Sequence, residues 1–252
     1  GVNPMKPLSI IAAAALALAV AVPQAVQAAE YGHFVGQVVV DGKPTMRKLE
    51  VTKGDPAVRD LCCKENDLAD QKLVINPKNN GLANCFVYLK KCDTATIHPD
   101  LKESKEKEVV QDQKGCKFIP HCLIIRTDQQ LVIKSDDPAS HNTNYKPRYN
   151  QGDNIVIGPG DRTGVKIPAF GLNERYPTGV ECNIHPWMSA QWLIVDHPYA
   201  AITDKDGKFT IENLPVGTHE FIIHHQLSGM VHYPEKKVIE VVITDGKTTD
   251  MG

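Results

Sequence analysis

The chain has 252 residues, 42% of them hydrophobic and 23% charged, with 28 basic against 30 acidic side chains. This is ordinary composition for one large or two small globular domains. The near-zero balance argues against a nucleic-acid partner, which needs a basic excess to displace counterions. No Gly-rich loop ending in Gly-Lys-Ser/Thr is present to cradle a phosphate.

Residues 1–28 read as a signal peptide. Met5 is the expected start, Lys6 the positive end, Leu8 to Val22 the apolar run, and Val26-Gln27-Ala28 the small-residue cleavage site. The run is shorter than the roughly 20 residues a spanning helix needs, and no Cys follows the small residues to take a lipid. The expectation is a periplasmic or otherwise exported protein without stable membrane insertion after cleavage. Export implies an oxidising compartment. The seven cysteines are Cys62, Cys63, Cys85, Cys92, Cys116, Cys122 and Cys182. An odd count leaves at least one unpaired in a monomer; without Cys182, the other six could form up to three disulfides. No Cys-x-x-Cys occurs, so zinc ribbons and thioredoxin-type motifs are excluded.

Beyond the signal the chain reads as all-β. HFVGQVVVDGKP alternates apolar and polar residues and turns at Asp41-Gly42. Residues 72–75 and 85–90 read as short strands around an Asn/Gly-rich turn. The segment 56–70 is open between a helical turn and a loop, and 98–108 is a charged, solvated linker. Residues 122–126 and 131–135 are expected to form a hairpin, and 144–163 to be mostly loop. VKIPAF, the run before Cys182, QWLIVD (191–196), GKFTI, EFIIHH and KKVIEVVIT complete the strands. Many short strands with turn signals mean a β-sandwich or barrel.

Chemistry concentrates in ECNIHPWMSAQWLIVD. Cys182, His185 and Met188 stand at Cys-x-x-His-x-x-Met spacing on a loop running into a strand. Upstream, the strand ending at Lys134-Ser135 runs into DDPASHNTNY, which sets His141 at a strand end. Two imidazoles and a thiolate in a plane, capped by a weak thioether, are what a blue-copper ion requires. The alternative for these residues is a disulfide cysteine with an unrelated His and Met. His121 could add a ligand or serve as a structural strand residue. His219 and His225, six apart, could share a strand face and a second metal, whereas the neighbours His224 and His225 point to opposite faces. Trp187 and Trp192 flank the loop. No Gly-x-Ser-x-Gly or His-Glu-x-x-His is present, so the expectation is a protein that is not an enzyme.

HNT…ECNIHPWM resembles the cupredoxin pattern, with the short loop of amicyanin-like members. From about Phe118 to Met230 the chain is also similar to cupredoxins labelled methylamine-utilisation proteins, in FIPH, DDPASHN, CNIHPWM and VDHPYAAITDKDGKFTIENLPVGTHEF. The resemblance implies His141, Cys182 and His185 as equatorial ligands of one copper ion cycling between Cu(I) and Cu(II), with Met188 axial. It further implies Asn142 steadying the thiolate loop and Pro186 and Trp187 as the rim where a redox partner docks. Two departures stand out: Asp128-Gln129 replaces the usual Gly before the second strand of the expected hairpin, and Ser135 replaces a frequent Asn. TDKDGKFTIENLPVGTHEFIIHH resembles carboxypeptidase regulatory-like (transthyretin-like) sandwiches, whose opening strand matches GQVVVDGKP far upstream. The implied organisation is a discontinuous regulatory-like sandwich, 30–97 plus 197–252, joined through the 98–108 linker to a cupredoxin-like Greek-key sandwich at 109–196. The functions in view are single-electron transfer, a non-redox envelope module binding carbohydrate or protein with a vestigial metal loop, and copper storage or delivery or an enzyme using an open copper position.

Overall fold

The computed structural model describes residues 1, 30–42, 70–232 and 236–252. The signal-peptide reading, Cys62, Cys63 and nearly all of 56–70 lie outside the described residues. The chain is all-β. In order, the strands are β1 (Tyr31–Gln37), β2 (Phe86–Leu89), β3 (Glu108–Gln113), β4 (Phe118–Ile119), β5 (Cys122–Arg126), β6 (Gln130–Ser135), β7 (His141–Tyr145), β8 (Asp153–Ile157), β9 (Val165–Lys166), β10 (Thr178–Glu181), β11 (Ser189–Val195), β12 (Ala200–Ile202), β13 (Lys208–Pro215), β14 (Gly217–His225), β15 (Gly229–Met230), β16 (Ile239–Ile243) and β17 (Thr248–Asp250). Among the described residues no helix is long and apolar enough to cross a membrane.

Two sandwiches share one face-to-face contact. In the first, sheet β5-β11-β10-β7-β8 packs on sheet β4-β3-β6-β9, burying Phe118, Ile125, Leu131, Ile133, Tyr145, Phe170 and Trp192. In the second, β13-β1-β17 packs on β12-β2-β14-β15, with β16 beside β14, burying Phe34, Val87, Leu89, Tyr199, Phe221 and Ile223. β11 shows why its sequence is an unbroken apolar run. Ala190, Trp192 and Ile194 face the first core, while Leu193 and Val195 meet Phe86, Tyr88 and Ile222 of the other sandwich. A strand covered on both faces has no solvent side to make polar.

Several expectations are corrected. β5 and β6 are not a hairpin. β5 runs parallel to β11 in one sheet and β6 parallel to β3 in the facing sheet, so residues 127–129 cross between layers. There Asp128 accepts from Ser104 N (2.7 Å) and Ser104 Oγ (2.7 Å) rather than closing a two-strand turn. The 144–163 stretch is mostly loop as expected, interrupted by the end of β7 and by β8, which pair antiparallel from His141↔Ile157 to Tyr145↔Asp153. Residues 72–75 hold only an isolated bridge, Ile75↔Leu82. Three disulfides are also ruled out, because Cys85, Cys92 and Cys122 are free. Cys85 and Cys122 instead act as small buried core residues.

Burial gives the fold an acid sensitivity. Desolvation pushes His197 down to about 4; desolvation, then the neighbouring His224 and His121, push His225 down to about 4. Both are almost fully buried. Unfolded, each takes a proton below about 6.5, whereas the folded form stays neutral until about 4. Their stability contribution is therefore complete above pH 6.5 and is lost as pH falls through the 6.5–4 window. Denaturant unfolding at pH 7 and pH 4.5 should differ by about 2–3 kcal/mol per histidine, and His197→Gln should flatten the curve. A pH-independent midpoint across this window would contradict the assignment.

Candidate metal centre

Strand register builds the site. β10 pairs with β11 from Thr178↔Trp192 to Glu181↔Ser189, and one step further Cys182 N donates to Met188 O at 3.2 Å. The two sulfur residues thus stand opposite each other at the neck of a hairpin. Because side chains alternate along strands, both fall on the inward face with Val180, Ala190 and Trp192 and join the same buried cluster. The tip closes with a turn in which Met188 N donates to His185 O at 2.9 Å. On its other edge β10 pairs with β7 (Glu181↔Asn144), which carries His141 and Asn142 alongside Cys182.

Three ligand atoms converge. His141 Nδ1 and His185 Nδ1 are 2.9 Å apart, and Cys182 Sγ lies 4.0 Å from the first and 3.9 Å from the second. Imidazole nitrogens about 2.0 Å and a thiolate about 2.3 Å from one ion stand roughly 3–4 Å apart, so this triangle accepts a metal with little movement. His141, Cys182, His185 and Met188 are each nearly fully buried. Cys116 also offers its sulfur within 4.8 Å of ligand-type nitrogens of His141 and His185. Cys116 is disulfide-bonded and has no thiolate to give, whereas Cys182 is free.

The surroundings prepare each ligand. Asp137 Oδ2 accepts from His141 Nε2 at 2.8 Å, which directs Nδ1 to the centre. That carboxylate also accepts backbone N–H from Gly115 (2.6 Å) and Cys116 (2.9 Å). The Asp137 contact went unread in the sequence, although a carboxylate four residues before the histidine was its visible trace. Cys182 Sγ accepts from Asn142 N (3.5 Å) and His185 N (3.4 Å). Asn142 Oδ1 accepts from Asn183 N (2.8 Å) and Ile184 N (3.2 Å), tying the loop to β7.

Electrostatics separate this thiol from the others. Burial raises the Cys182 pKa, but hydrogen bonds from His141 and the Asn142, His185 and Ile184 amides outweigh it and leave the thiol below its ordinary value. Burial holds Cys85 and Cys122 up at about 12. For His141, burial lowers the pKa, but Asp137 and Cys182 overcome that and raise it to about 9. His185 is lowered by burial and by its cationic neighbour His141. The same contacts that favour the charged form of Cys182 and of His141 would favour replacement of their protons by a cation.

Pro186 is exposed and Trp187 partly buried, the latter 5.1 Å from the His185 ring. Trp192 belongs to the core and donates to Gln111 Oε1 at 2.7 Å. His121 is apart from the triangle, bonded through Nε2 to Gln226 Oε1 at 2.7 Å. His219 Nε2 donates to Pro215 O at 2.6 Å; among the described residues the only group of three metal-type ligands is the one around His141 and His185.

No family model matches the chain, and no curated protein does. Solved structures similar to part of it include a copper-containing nitrite reductase from Thermus scotoductus SA-01, at 17% identity and TM-score 0.31 over 34% of this chain and 22% of that one. A purple cupredoxin from Nitrosopumilus maritimus matches at 15% identity and TM-score 0.28, over 35% of this chain and 99% of that one. Amicyanin from Paracoccus versutus matches at 14% identity and TM-score 0.26, over 43% and 96%. This chain thus spans about a fifth of the nitrite reductase chain. The expectation that the protein is not an enzyme is withdrawn: a copper-containing nitrite reductase stands among the partial matches, and the lack of a hydrolase or protease motif decides nothing about catalysis.

Proposed function

We propose that the protein is an exported, mononuclear copper protein that passes single electrons. His141 Nδ1, His185 Nδ1 and Cys182 Sγ would hold the ion, with Met188 capping it, and copper would supply a Cu(I)/Cu(II) couple. The observation that carries this reading is the buried triangle of 2.9, 3.9 and 4.0 Å. Two nitrogens and a soft thiolate suit both oxidation states. Asp137 fixes one imidazole, Asn142 and backbone amides fix the sulfur, and the β10–β11 neck fixes Met188. Ligands held from behind in this way change little when the ion changes charge, which favours fast electron transfer.

The rim of Ile184, Pro186 and Trp187 beside His185 is the proposed docking point for a redox partner protein. Ile184 is half exposed, and His185 is the ligand that this rim covers. The regulatory-like sandwich of 30–97 and 197–252 is proposed as a second unit interrupted by the 109–196 copper unit; antiparallel pairing of β1 with β13 and of β2 with β14 supports that division.

The test is a visible spectrum and redox titration of mature protein loaded with Cu(II). The expected result is an intense thiolate-to-copper band that bleaches and returns with one electron, and copper retained against a competing chelator. Copper lost readily to the chelator would favour delivery over shuttling. No band, with Cys182 in a disulfide, would remove the copper reading.

A further inference from the structure

A cavity of about 420 Å³ opens where the two sandwiches meet, far from the metal centre. It is lined by Tyr88, Lys90 and Lys91 from the second sandwich and by Tyr149, Glu174 and Arg175 from the first. Val195, the last residue of β11, also reaches it. Met188 precedes the other end of β11, so the seven-residue strand separates cavity from metal centre by about 20 Å. The volume falls in the range of small-molecule sites, about 300–1,000 Å³.

The lining is unbalanced in charge. It holds three cationic residues, Lys90, Lys91 and Arg175, and one carboxylate, Glu174, which is already engaged. Glu174 accepts backbone N–H from Arg148 (3.0 Å), Tyr149 (2.8 Å) and Asn150 (3.1 Å), and the Asn150 side-chain amide at 2.9 Å. Lys90 pairs with Glu220 at 2.9 Å. Lys91 and Arg175 make no ion pair among the described residues. Arg175 is held in place from both sides of its backbone and head group: its carbonyl accepts from Tyr88 Oη at 3.0 Å, and its guanidinium lies 5.4 Å from the Tyr176 ring centroid. Tyr149, 47% exposed, adds an aromatic surface at the mouth.

We propose that this cavity binds a small aromatic carboxylate, with Lys91 and Arg175 on the carboxylate and the Tyr149 ring against the aromatic part. Cation pairs recognise a carboxylate through charge-assisted hydrogen bonds, and a tyrosine ring packs on a flat ligand. The two cations come from different sandwiches, so the ligand would bridge them. This proposal is independent of whether the metal centre holds copper.

The test is calorimetric titration of the full mature protein, metal-free and copper-loaded, with 4-hydroxybenzoate as probe and 4-hydroxybenzyl alcohol as the uncharged analogue. One-site saturable binding is expected. Losing either the carboxylate or both cations (Lys91→Ala with Arg175→Ala) should weaken it at least about tenfold, the usual size of a lost charge-assisted contact. A thermal unfolding scan of the double variant, expected to match the parent, separates lost binding from lost fold. No saturation at millimolar probe, or equal binding by the alcohol or by a folded double variant, would overturn the assignment.

Discussion

Cys182→Ser should abolish the visible thiolate-to-copper band while leaving the fold intact. The substitution replaces a polarisable thiolate by a hydroxyl that stays protonated near neutral pH, so the soft ligand that suits Cu(I) is gone. Changes to residues that merely support metal ligands cost about 10–100-fold in affinity; loss of the sulfur itself should exceed that for Cu(I), by roughly 100-fold or more. Folding should be little affected. The position keeps its backbone bond to Met188 O, and serine is close in size to cysteine. The measurements are the absorption spectrum, copper affinity from chelator competition, and near-ultraviolet circular dichroism. A surviving intense band would place the thiolate elsewhere and remove Cys182 from the centre. The free, acidified Cys182 and the disulfide at Cys116 predict opposite behaviour for the two cysteines: Cys116→Ser should leave the band in place.

Trp192→Ala is expected to be the most destabilising single change in the sandwich that carries Cys182 and His141. The indole is fully buried, with ring centroids 5.0 Å from Tyr145 and 6.4 Å from Phe170. Its Nε1–H donates to Gln111 Oε1, and Gln111 Nε2 donates in turn to Pro120 O at 2.9 Å. Truncation removes the largest side chain of this core and strands a buried amide oxygen. Cavity formation alone costs about 3–5 kcal/mol, and the orphaned acceptor adds about 1–3 kcal/mol. Trp192→Phe should separate the two contributions, since it keeps most of the volume and loses only the hydrogen bond. Denaturant unfolding followed by loss of the copper band reports on this sandwich specifically, which matters because two cores need not melt together. A loss below about 1 kcal/mol for the alanine variant would mean the core closes around the gap, contrary to close packing.

The metal loop was legible in the chain because its geometry is local. Cys182 and Met188 are six positions apart across a hairpin neck, and His185 sits on the turn between them, so spacing alone nearly places them. The all-β class was legible for the same reason: alternation in 36–40 and 239–243 depends only on which face each residue takes. His141 was legible only as a histidine at a strand end. Its meeting with Cys182 depends on β7 pairing with β10, a contact between residues 41 positions apart.

The remaining features depend on layers, and local sequence does not encode them. Residues 122–126 and 130–135 look like any hairpin, yet they enter different sheets because each finds a parallel partner, β11 and β3, whose pairing requires the whole sandwich. Free and bonded cysteines cannot be separated by counting. Cys85 and Cys122 are free in two apolar clusters, and the Cys182 pKa is lowered because His141 and the amides of 142, 184 and 185 converge on its sulfur. The Asp137 contact, the doubly covered β11 and the cationic cavity between the sandwiches likewise arise from long-range packing. Local chemistry and periodicity set what each segment can do; tertiary structure decides which segments face each other, because charge, burial and metal geometry act across space rather than along the chain.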